Sequence, residues 1–205
     1  MTSTPINVIL DSFLEESIKL SPIGATMLGV PGLDDQLDDF SMAGNTKRSD
    51  LTRKTLAALN AEKPVNEYDR IARDVAVERL TSELNLSDTH EAHILFNLIS
   101  SPVKNIRQVF EMMKKDQPDT IANVTKRLNG IEAALEGWKS TLTTVAEKGK
   151  VNSRRQALAT AGQLETFSKG AFTAVAKKFN PAGDDAALMA AAKNAEAACA
   201  SLSIW

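Results

Sequence analysis

The amino-acid sequence predicts an all-α protein, a multi-helix array with long antiparallel helices and no sheet. Three observations lead there. Apolar residues recur at three- and four-residue steps through most of the 205 residues. No stretch of more than a few residues alternates with the two-residue period of a half-buried strand. Polar residues and prolines stand where helices would begin, as in Thr4-Pro5 and Asn152-Ser153.

The first helix is opened by Thr4 as cap and Pro5, with Ile6, Ile9, Leu10, Phe13, Leu14 and Ile18 on one face. A short helix from Pro22 to Leu28 follows. "GVPGLDDQLDDFS" combines glycines, a proline and four aspartates and reads as an irregular connection. Further helices are predicted over 42–61, 66–84, 88–99 and 102–115. Ile121, Val124, Leu128, Ile131, Leu135, Trp138, Leu142 and Val145 predict one long helix or two nearly collinear ones, bent at Asn129-Gly130 and ended by Gly149. From Asn152 or Ser153 another long helix is expected to bury Leu158, Ala161, Leu164, Phe167, Phe172, Val175 and Phe179 before "NPAGDD" stops it. The last starts near Asp184, and its stripe of Leu188, Ala192, Ala195, Cys199 and Leu202 runs into Ile204 and Trp205 without a capping glycine or polar tail. The expectation is a chain that stops inside an element, as a truncated protein would.

At 43% hydrophobic and 24% charged, residues 1–205 are expected to form a single helical domain. The 24 basic and 26 acidic residues are interspersed and give a net charge of −2, so neither nucleic acid nor an anionic membrane is expected as a partner. Asp11, Glu15 and Glu16 interrupt what would be a signal peptide, and no segment approaches the roughly 20 apolar residues of a membrane span, which predicts a cytoplasmic protein. Cys199, the single cysteine, reads as core packing.

Both histidines lie in "THEAHILF", one residue short of the HExxH pattern of zinc peptidases. Histidines three apart still share a helical face, but no third histidine or carboxylate stands at a ligand spacing. His90, Glu91 and His93 are therefore read as structural, Asp88 and Glu91 forming a capping box, and no metal or catalytic residue is assigned. Asp34, Asp35, Asp38 and Asp39 lack calcium-loop spacing and read as turn and cap residues. In "KVNSRRQ", cations at a helix start oppose the dipole, and carboxylate recognition by a guanidinium fork is one reason to place them there. Arg155 and Gln156 are the candidate substrate-binding residues, beside the plainer reading of a solvated face.

Ser21-Pro22-x-x-Ala25-Thr26-x-Leu28-Gly29, followed by Asp34-Asp35 and Asp39-Phe40-Ser41, resembles the opening of the bacterial family called domain of unknown function 885. "FNLISSPVKNIRQVFEMM" is similar to that family's Leu-Asn-x-x-x-Ser-Pro-x-x-x-x-Arg-x-x-Phe segment, through Asn97, Ser101, Pro102, Arg107 and Phe110. "KRLNGIEAALEGWKSTL" and "GKVNSRRQALATAGQ" look like its actinobacterial branch. The resemblance implies a helical, zinc metallopeptidase-like protein whose His-Glu-x-x-Pro-Gly-His motif lies in a C-terminal half. This chain has no such motif and would correspond to the N-terminal part, inactive alone. The implied partners are the missing catalytic half and, in the longer protein, a peptide substrate; zinc would belong to that half and this chain would hold no cofactor. The alternative reading is a free-standing, non-enzymatic helical interaction module.

Overall fold

The computed structural model describes residues 4–205, and among them helices are the only regular elements. There are eleven: α1 (Pro5–Leu20), α2 (Pro22–Leu28), α3 (Met42–Ala61), α4 (Glu67–Asp88), α5 (Glu91–Ile94), α6 (Pro102–Met112), α7 (Thr120–Asn129), α8 (Ile131–Glu147), α9 (Arg154–Ser168), α10 (Ala171–Phe179) and α11 (Ala186–Ser203). The protein is an all-α multi-helix array.

Side-chain caps fix many of the starts. Thr4, Ser21, Ser41, Asn66, Ser101, Ser153 and Asp185 each accept a hydrogen bond from a first-turn amide. The helices then bury their apolar faces in two clusters. In the larger, α11 packs against α7, α8, α9 and α10. Its alanine-rich composition has a packing reason: Ala191, Ala192 and Ala195 are buried, and their small side chains let the neighbouring helices approach. Phe110 and Phe172 meet edge to face in this core, ring centroids 6.1 Å apart. The smaller cluster joins α1, α3 and α4 through Ile6, Leu59 and Leu80.

The connection from Gly29 to Ser41 is held by a buried cation. The Arg127 guanidinium, on α7, donates to the carbonyls of Leu33 and Gln36 at 2.8 Å each and to Thr26 Oγ1 at 2.9 Å, and Thr26 donates onward to Asp34 at 2.7 Å. Burial pulls its pKa down to about 10, against the pull of Asp34, Asp35 and Asp38. The aspartates of the loop take turn and cap roles: Asp38 accepts from Ile23 N–H and the Ser21 hydroxyl, and Asp39 from Ser41 N–H.

Five expectations are corrected. The helix predicted over 88–99 is the single turn α5, because α4 runs on to Asp88, where Arg53 of α3 pairs with it. His90 then turns left-handed at φ 61°, so the Asp88–Glu91 capping box does not form. The helix predicted over 102–115 ends at Met112, as Met113 becomes extended and buried. The segment 152–179 divides into α9 and α10 at Gly170, whose φ of 108° suits a residue without Cβ. Leu158, expected in the core, is 60% exposed. The expected bend at Asn129-Gly130 is the boundary between α7 and α8.

Candidate functional site

His90, Glu91 and His93 do not form a metal centre. His90 Nε2 lies 2.9 Å from the Lys148 ammonium and the Glu91 carboxylate lies 2.7 Å from Lys150 Nζ, so lysines occupy the atoms a cation would need. Among the described residues no group of three His, Cys, Asp or Glu stands close enough together to hold a metal ion. The zinc implied by the resemblance does not fit the residues described here. Cys199 offers no nucleophile either: it is buried, and burial, with Glu196 nearby, pushes its thiol up to about 12.

The two histidines separate in role. His90 reaches toward Lys148, while His93 enters a polar cleft of about 260 Å³. Arg48 and Asn45 come from α3, Ser101 and Asn105 from the start of α6, Trp138 and Thr141 from α8, and Asp38 and Phe40 from the loop. Phe96 packs edge to face on Trp138 at 5.1 Å and makes an aromatic wall. Phe96 is itself positioned by Asn152, which donates to its carbonyl at 2.7 Å. A smaller hollow of about 150 Å³ shares Asn45, Arg48, Ala92 and His93 and is closed on its far side by Glu83, Leu84 and Ser87 of α4.

Arg48 donates to Asp39 O at 2.9 Å, Asn45 Oδ1 at 2.7 Å and Leu20 O at 3.5 Å. All three acceptors are neutral. Asp38 has both oxygens engaged, and burial raises its pKa against those hydrogen bonds. His93 is held below the usual imidazole value by burial first, then by His90, Arg48 and Lys148. At neutral pH the cleft therefore presents a fixed cation, a neutral imidazole and an aromatic wall. It can bind a polar or anionic group; it holds no arranged nucleophile and base.

A second depression, of about 330 Å³, is apolar. Trp138 and Leu142 of α8, Ala157, Leu158, Ala161 and Leu164 of α9, and Leu202 with Ile204 and Trp205 beyond α11 line it, and Arg154 stands at its edge. Thr160, also in its wall, is 3% exposed and its hydroxyl has no hydrogen-bond partner among the described residues.

Arg155 and Gln156 lie at the first turn of α9, exposed and half-buried respectively, and Gln156 N–H donates to Ser153 Oγ at 3.3 Å. The structure does not bring their side chains into either depression; from "RRQ" it is Arg154 that lines the apolar one. Sequence reasoning passed over Arg48 and Asn105, because no local spacing distinguishes them from other surface-helix residues. A signal did exist for the neighbours: Phe40, Ser101, Pro102, Trp138 and Thr141 lie in three separate segments quoted for the resemblance, and the fold brings them to one cleft.

Fold and cleft define an all-helical protein with a polar, aromatic-walled cleft and, among the described residues, no group of three His, Cys, Asp or Glu close enough to hold a metal ion. The chain matches the family model described as bacterial protein of unknown function (DUF885) over residues 22–205, and it belongs to that family. No curated protein matches it.

Proposed function

We propose that this chain is the N-terminal helical portion of a zinc-dependent, peptidase-like hydrolase, where it forms a wall of the substrate cleft and a scaffold for a catalytic half that carries the metal. The observation that carries the reading is the apolar depression between α8, α9 and the end of α11. Leu158, Ile204 and Trp205 on its rim are each more than half exposed, and an apolar patch of this kind is one that a second folded unit covers. Family membership and the segments quoted above are consistent with that role. Arg155 and Gln156, beside this surface on α9, are the proposed residues for a substrate carboxylate.

In this reading zinc would polarise a scissile carbonyl and activate water elsewhere, and the residues described here position and enclose. In this reading the longer protein, not the chain alone, acts on a peptide substrate, and the cytoplasm is its proposed location. Among the described residues no helix is long and apolar enough to cross a membrane.

The test is reconstitution. The chain alone, with added zinc and a peptide panel, is expected to show no turnover, and addition of the C-terminal half of a longer family member is expected to restore it. Arg155→Ala in the reconstituted enzyme should raise KM more than it lowers kcat. Zinc-dependent turnover by the chain alone would overturn the proposal. A stable monomer that ignores the C-terminal half would favour the free-standing interaction module.

A further inference from the structure

The polar cleft contains hydrogen-bonding capacity that the fold does not use. The backbone amides of His93 and Asn105 are bonded to His90 O and Ser101 O, but their side chains reach no hydrogen-bond partner among the described residues. Arg48, on the same cleft, spends its hydrogen bonds on neutral oxygens and has no carboxylate within ion-pair distance among them. Asp38 lines the cleft too, but its two oxygens are turned to Ile23 N–H and the Ser21 hydroxyl. Beside these polar groups stands the aromatic wall of Phe96 and Trp138. At about 260 Å³ the cavity lies just under the usual range of small-molecule sites and suits a small ligand, and a few convergent polar groups on an apolar wall is what such sites contain.

We propose that the cleft binds a small carboxylic acid with an apolar side chain, the carboxylate received by Arg48, His93 and Asn105 and the side chain seated on Trp138 and Phe96. A guanidinium suits a carboxylate, and an imidazole beside a bound anion gains a proton. His93 is faced by Arg48 from α3, Glu83 from α4, His90 and Glu91 around α5, Lys148 and Lys150 after α8, and Asp38 from the loop. Glu91 is paired with Lys150, and Lys148 with His90. Burial is the first cause that keeps the free imidazole neutral, and His90, Arg48 and Lys148 add to it. A carboxylate reverses that balance, so affinity rises as pH falls. The inference concerns the isolated chain and does not rest on the hydrolase reading.

Phenylacetate is the probe, titrated into the Trp205→Phe variant so that Trp138 fluorescence reports alone, with His93 followed by NMR. Phenethyl alcohol and inorganic phosphate are the controls. Saturable quenching by phenylacetate is expected, at least about tenfold tighter than either control, and about threefold or more tighter near pH 5.5 than near pH 8. His93→Gln should keep most of the binding and lose its pH dependence. Asn105→Leu should weaken binding several-fold, and Arg48→Met about tenfold or more. Because Arg48 also ties down Leu20 and Asp39, the proposal is judged on His93→Gln and Asn105→Leu if Arg48→Met does not fold. Equal binding of the alcohol or of phosphate, no saturation by about 10 mM (an affinity weaker than roughly −3 kcal/mol), or an unchanged pH profile in His93→Gln would each overturn it.

Discussion

Two regions of the molecule are held together in different ways. Around α11 the core is continuous: in its 18 residues Leu188, Ala191, Ala192, Ala195, Cys199 and Leu202 are all buried, and four other helices close over them. The longer α4, at 22 residues, buries only Asp69 and Leu80. Its surface carries exposed pairs instead, Arg70 with Glu67 and Asp74, which solvent screens and which therefore hold little. What α4 lacks in apolar burial it replaces by polar ties: Asp69 accepts from the Thr4 hydroxyl at 2.6 Å and from Val65 N–H at 3.2 Å, joining the start of α1 to the start of α4. Helix length and stability are therefore separate properties here, and the α1–α3–α4 cluster should open at a lower free energy than the core around α11.

Replacing Arg127, the buried cation beneath the Gly29–Ser41 loop, is the harshest test of the larger region. Arg127→Met removes three hydrogen bonds from a charged donor, leaving Gln36 O and Thr26 Oγ1 without it while Leu33 O keeps only the Gln36 N–H, for an expected loss of about 3–5 kcal/mol. Urea unfolding should show a lower midpoint, and a change below about 1 kcal/mol would mean that the loop holds its own shape. Leu59→Ala probes the smaller cluster, with an expected cost of about 2–4 kcal/mol. Its amide exchange should speed up in α1, α3 and α4 while α11 keeps its protection. Equal acceleration in α11 would erase the distinction between the regions.

Asp69→Ala should cost about 1–3 kcal/mol, confined to the same three helices in an exchange experiment. The smallest effect belongs to the larger region's surface. Glu111 takes Lys178 of α10 at 2.5 Å and Arg107 of its own helix at 2.7 Å, and those two cations, Lys178 first, hold its carboxyl below the usual value of 4.5. A depressed carboxylate stabilises above its unfolded pKa and loses that contribution as pH falls through the folded one. Since Glu111 is largely exposed, Glu111→Gln should cost less than about 1 kcal/mol at neutral pH, and the difference from the parent protein should vanish in acid. A difference that persisted unchanged in acid would assign it to packing.

The legible part of the fold is the part with local causes. Thr4-Pro5, Ser21-Pro22 and Ser41 mark helix starts through caps that need only their own first turn, and the boundaries of α1, α2 and α3 follow. The pattern from Ile121 to Val145 predicts one long helix or two, bent at Asn129-Gly130, and the division falls there. Residues 88–99 were misread because the deciding contacts are distant in sequence: Arg53 holds Asp88 at the end of α4, and Lys150 takes Glu91 away from a capping role. Leu158 sits on the apolar side of α9, yet whether that side is covered depends on what the fold places opposite it.

Composition, periodicity and capping residues determined that this chain is helical, where most of its helices begin, and that its two histidines make no zinc-peptidase motif, because each of these is set by neighbours within about one turn of helix. The meeting of Arg48, His93, Asn105 and Trp138 in one cleft, and the burial of Arg127 beneath a loop some 90 residues away, belonged to the tertiary structure alone. The physical reason is that a side chain's burial and partners are fixed by which helix faces pack together, and that pairing is settled by long-range contacts no local spacing encodes.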